Sequence, residues 1–176
     1  MRRFFGSERG TTAVEFAIVA GPFFFILGCI CETGLMLFTE YVLQNAAQQA
    51  ARSVRTGQVS TSTGTPLMTA AQFKTIVCNS VGLLVDCNNK VTVYLNNAAT
   101  FASLETSMAS PLTIGPSSSG SPYPVVFSPG GKLKPATVVA TYDWKFVFPF
   151  MNFLGNINGG DARRVYGLAI FRNEPF

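Results

Sequence analysis

Phe16-Ala17-Ile18-Val19-Ala20-Gly21-Pro22-Phe23-Phe24-Phe25-Ile26-Leu27-Gly28-Cys29-Ile30-Cys31 runs for sixteen residues without a charge, and only Glu32 interrupts the apolar sequence before Phe38. About 20 apolar residues in a helix cross the hydrocarbon of a bilayer, so this stretch reads as a membrane span. Arg2, Arg3 and Arg9 stand before it against Glu8 alone, and such a basic flank stays in the cytoplasm. Everything after the span is then exported. No small-x-small cleavage site follows a short apolar core, which disfavours a cleavable secretory signal. Ile26-Leu27-Gly28-Cys29 loosely matches a lipoprotein acylation box, but the apolar pattern continues past it and Glu15 lies where that core should be uncharged.

Outward from the span, the helical pattern persists. Leu43, Ala47, Ala50 and Val54 continue an apolar stripe while Gln44, Gln48, Gln49, Arg52 and Arg55 cover the rest, until Gly57 offers a C-cap. One helix from Thr12 to Thr56 measures roughly 65 Å, longer than a bilayer, so its second half must project and lie against a soluble domain. Pro22 removes one backbone hydrogen bond and should kink or loosen this helix. Ala13, Ala17, Ala20, Gly21 and Gly28 share one face, the small-residue pattern that lets membrane helices pack closely; the competing reading is that Ala and Gly are simply common in such helices. Cys29 and Cys31 point to different sides and form no mutual bridge.

Beyond the Ser/Thr/Gly linker Gln58 to Thr65, the sequence Thr69-Ala70-Ala71-Gln72 reads as a capping box opening a helix, with Phe73, Ile76, Val77, Val81 and Leu84 as its apolar side. Cys78 lies in that helix and Cys87 just past it; in an oxidising compartment they bridge, for roughly 2.5 kcal/mol, and otherwise stand as two buried thiols. A short helix is expected from Ala98 to Met108. Lys90 to Leu95, Thr137 to Phe148 and Val165 to Phe171 alternate as strands, the last two joined through the turn-rich Asn156 to Gly160 and paired antiparallel. The proline-rich Ser110 to Gly131 reads as a surface loop. Phe146, Phe148, Phe150 and Phe153 are either core or an exposed patch near the membrane or a partner. The fold class is therefore α+β: a long membrane-spanning helix, an antiparallel sheet, and one or two short helices.

Composition narrows the function. The 176 residues are 48% hydrophobic and 12% charged, enough for one domain and one span, and the net charge of +4 collects near the two ends. No basic run interleaved with aromatics suggests nucleic-acid binding. Histidine is absent, which removes the usual general base, the commonest metal ligand and every Ser/His or Cys/His pair. No enzyme, metal site or cofactor is expected, and Ser128-Pro129-Gly130-Gly131-Lys132 lacks the spacing of a phosphate-binding loop.

Glu15 is the most informative residue of the span, because a carboxylate inside a membrane helix costs several kilocalories per mole unless compensated. Either it lies close enough to the headgroups to stay wet, or a partner meets it. Gly10-Thr11-Thr12-Ala13-Val14-Glu15-Phe16 resembles the prepilin processing site of Flp-type pilins. The resemblance implies cleavage between Gly10 and Thr11 by a prepilin peptidase, and an assembly role for Glu15 and Phe16, with Glu15 meeting the new Thr11 amine of a neighbouring subunit. With Asn45-Ala46-Ala47-Gln48-Gln49-Ala50-Ala51-Arg52, the Cys78/Cys87 pair and the tail Phe171-Arg172-Asn173-Glu174-Pro175-Phe176, the chain resembles the TadE-like pseudopilins of the tight-adherence (Tad) pilus and secretion system, although Gly21-Pro22-Phe23 stands where Leu-Pro-Leu is commoner. The resemblance implies a cytoplasmic leader 1–10, a transmembrane and extended helix 11–57, and a periplasmic domain 58–176. It also implies residence in the bacterial inner membrane beside other pilin-like subunits and pilus assembly proteins, packed through Ala13, Ala17, Gly21 and Gly28. The alternative is a membrane-anchored periplasmic binding or scaffold module that never enters a pilus.

Overall fold

The computed structural model describes residues 11–82, 85–106, 126–157, 160 and 162–176. One helix, α1 (Thr11–Arg55), runs unbroken through Pro22 and ends where expected. Gly57 adopts φ 77°, its N–H donates to the Val54 carbonyl and that of Gln58 to the Ser53 carbonyl, the paired bonds of a Schellman motif. Only the second half of α1 is buried, through the stripe Glu32, Met36, Thr39, Leu43, Ala46, Ala47, Ala50, Ala51 and Val54. Steps of three and four keep these residues on one face.

That stripe packs against a three-stranded antiparallel sheet in the order β1 (Val91–Asn97), β2 (Pro135–Lys145), β3 (Ala162–Arg172). The register sets Val93 opposite Ala140, and Val138 opposite Ala169, which places these small apolar side chains on the face towards α1. Helix α2 (Ala70–Val81) opens with the expected capping box, Thr69 and Gln72 each accepting from the other's backbone N–H. Its buried Phe73, Val77 and Val81 join Leu43, Val54, Leu95, Val138 and Val165 in one core. The Cys78–Cys87 disulfide is formed and ties α2 to the short α3 (Cys87–Lys90).

Several boundaries differ from the sequence expectation. The second strand stops at Lys145 rather than Phe148, because the N–H groups of Val147 and Phe148 bond to the Glu32 carboxylate instead of a neighbouring strand. The helix expected from Ala98 starts later, with residues 101–106 helical, since Thr100 and Ser103 accept each other's backbone N–H as a cap. The expected linker is a tight, anchored turn: Thr61 N–H donates to the Thr65 carbonyl, Lys132 N–H to the Ser62 carbonyl, and the Ser60 hydroxyl to the Gly130 carbonyl. Residues 126–128, expected as part of a loop, lie along β1 in a parallel bridge. Gly10, Leu84, the end of the 98–108 helix, residues 110–125 of the proline-rich loop, and Asn158 and Gly159 of the turn lie outside the described residues.

The C-terminal tail closes over the end of α1. Asn173 is buried, and its amide donates to the carbonyls of Pro129 at 3.1 Å and Gly131 at 2.9 Å. Glu174 N–H donates to the Arg55 carbonyl, and the Phe176 ring covers Gly57. Asn173→Ala removes these donors and strands buried carbonyls, so thermal unfolding of the purified chain should show about 1–2 kcal/mol of lost stability. Glu174→Ala, which breaks only an exposed ion pair with Arg55, should show less than about 0.5 kcal/mol.

Candidate membrane and assembly interface

The N-terminal half of α1 is long and apolar enough to cross a membrane, and none of its most apolar window is buried in the fold. Val14, Phe16, Ile18, Val19, Phe23 and Phe24 all stand exposed. Glu15 lies among them, and Ala13, Ala17 and Gly21 are also exposed. A side chain at Gly21 would meet nothing within 4 Å. Gly28 is different, since its missing Cβ is the space occupied by the ring of Phe148. The fold thus leaves Ala13, Ala17 and Gly21 uncovered and fills the Gly28 position from within the chain.

Glu32 marks the junction between the span and the domain. Its carboxylate is buried and accepts from Val147 N–H at 2.6 Å and from Phe148 N–H at 3.0 Å. Sequence reading noted Glu32 only as an interruption, because its partners are backbone groups more than a hundred residues away. Below this clamp the aromatic cluster divides. Phe146 packs against the core, and Phe148 and Phe150 set their rings edge-on to Phe25, each at 6.3 Å. Phe150 and Phe153 nonetheless remain 83% and 81% exposed, so the cluster is both core and patch. A groove of about 560 Å³ lies between this turn and α1, lined by Phe25, Ile26, Ile30, Leu37, Phe150 and Phe153 among others.

A second clasp stands higher on the helix. The Gln44 amide donates to the Leu168 carbonyl at 2.8 Å and accepts from Leu168 N–H at 2.9 Å, which satisfies the outer edge of β3 as a neighbouring strand would. Just before it, Gly167 meets the α1 backbone at Leu43 and Gln44. On the far side of the sheet, Arg164 is buried and holds Asp143 with two hydrogen bonds, at 2.7 and 2.9 Å. Burial pushes the Lys74 amine of α2 below its usual range, with Asp86 acting in the opposite direction. Cys29 and Cys31 are unbridged, half-buried and exposed respectively.

The arrangement therefore presents an uncovered apolar rod carrying one carboxylate near its start, and a domain clamped rigidly to its other half. Searches of curated proteins and of solved structures return no match. The family model described as TadE-like protein matches residues 10–52, and every described residue of that match lies in α1. Over that stretch, which holds both the bare apolar half of α1 and the stripe that seats the domain, the chain is similar to the TadE-like family.

Proposed function

We propose that the protein is a pseudopilin, a pilin-like structural or assembly component of a Tad-type pilus and secretion machinery, with no catalytic role. It spans the bacterial inner membrane once through α1, with residues 1–10 in the cytoplasm and residues 58–176 in the periplasm. A prepilin peptidase cuts between Gly10 and Thr11. The new α-amine of Thr11, positive at neutral pH, then neutralises Glu15 of a neighbouring subunit, while Phe16, Ala13, Ala17 and Gly21 pack against that neighbour's helix. The observation that carries this reading is that the family match, residues 10–52, falls on a helix whose apolar first half leaves Glu15 exposed and uncovered by its own domain.

A carboxylate held in hydrocarbon without a partner costs several kilocalories per mole, so the pairing supplies a directional force for assembly. Glu15→Ala should therefore lower the fraction of the chain that co-purifies with other pilin-like subunits by about tenfold or more, since each 1.4 kcal/mol is a factor of ten. Membrane insertion should be unchanged. Co-purification at the wild-type level would defeat the pairing and leave a membrane-anchored module outside the pilus.

A further inference from the structure

We propose that the turn between β2 and β3, residues 147–154, is immersed in the outer part of the bilayer, with lipid acyl chains filling the groove between it and α1. The proposal rests on the reading of α1 as a membrane span and adds a second membrane-contacting element contributed by the domain itself.

The argument is one of length. A helix rises about 1.5 Å per residue, and the hydrocarbon is about 30 Å thick. Counted from Phe16, that distance ends near Leu35. The domain touches α1 well short of there, at Phe25 through Phe148 and Phe150 and at Gly28 through Phe148. Were the whole domain outside the hydrocarbon, the chain up to Phe24 would have to span alone, and the fifteen residues from Gly10, the first after the basic Arg9, rise only about 22 Å even if all are helical. The shortfall is removed if the turn enters the bilayer with the helix.

The chemistry of the turn fits lipid. Val147, Phe150 and Phe153 are more than 80% exposed, a large loss of hydrophobic stabilisation in water. Asn152 is the turn's only polar side chain, and the lining of the groove holds no charged residue. Non-helical backbone at membrane depth needs its polar groups satisfied by protein. Here Val147 and Phe148 N–H go to Glu32, Pro149 has no N–H, and Gly155 N–H donates to the Asn152 carbonyl. Glu32 is itself covered by the turn, so an acid about 24 Å into the span is shielded from lipid by the element it holds.

The test uses the full chain in phosphatidylcholine vesicles whose acyl chains carry bromine, a short-range quencher of tryptophan. Trp144→Phe clears the background, removing an indole N–H that has no hydrogen-bond partner among the described residues. In that background Phe153→Trp and, separately, Phe150→Trp report on the turn, Phe23→Trp on the span, and Phe101→Trp on the exposed domain surface. Both turn variants should be quenched by brominated lipid to the same extent as Phe23→Trp and be shielded from aqueous acrylamide, with Phe101→Trp showing the reverse. Quenching at Phe23→Trp with acrylamide-accessible turn variants would overturn the proposal and spare the span. Turn variants shielded from both quenchers would overturn it in favour of a protein neighbour. Escape of Phe23→Trp from bromine would remove the span and the proposal together.

Discussion

Glu32→Leu is expected to raise the hydrogen-exchange rates of the Val147 and Phe148 amides by roughly two orders of magnitude, equivalent to about 3 kcal/mol of lost local stability. The carboxylate takes both N–H groups at the point where β2 stops pairing. Leucine matches its bulk but accepts nothing, so two donors are left in an apolar setting, each costing about 1–3 kcal/mol. Relief from burying an acid offsets part of that sum. Glu32→Gln keeps one oxygen acceptor and should lose less than half as much. Unchanged exchange in Glu32→Leu would show that the turn is held by the Phe25, Gly28 and Phe148 packing alone.

Gly167→Ala is the second large effect. A Cβ at this position falls onto the Leu43 carbonyl and the Gln44 nitrogen, which are helix backbone and have no rotamer to move into. The strand must lift from α1, opening the seam beside Leu43 and pulling Leu168 away from Gln44. Overpacking of this kind costs about 3 kcal/mol or more, so thermal unfolding should shift down by roughly 10 °C for a domain of this size. Gly34→Ala is the natural control. A methyl group there meets nothing within 4 Å, and alanine favours helix over glycine by about 1 kcal/mol, so its melting point should hold or rise.

Much of this architecture was legible in the chain because it rests on local rules. The span follows from an uncharged run, the Schellman end from Gly57, the α2 start from Thr69 and Gln72, and the strands from alternation. The disulfide followed from two cysteines nine residues apart. What escaped reading depends on distant backbone. Alternation carries past Lys145 to Phe148, and nothing nearby announces that Glu32 will end the pairing. Gln44 looked like a solvated face residue and is a strand-edge clasp. Gly167 did carry a signal, since an isolated glycine in a strand marks close backbone approach, although its partner on α1 is set only by the fold. Among the described residues nothing covers Glu15, and the role proposed for it depends on a neighbouring subunit that one chain's sequence does not contain.

The most direct test of the pilin-like reading is the intact mass of the chain purified from its native membrane. Processing predicts a mass lower than that of the full sequence by the residues Met1 to Gly10, with Thr11 as the first residue. A chain that retains Gly10 at full mass would contradict the account, because Glu15 would then have no Thr11 amine to meet.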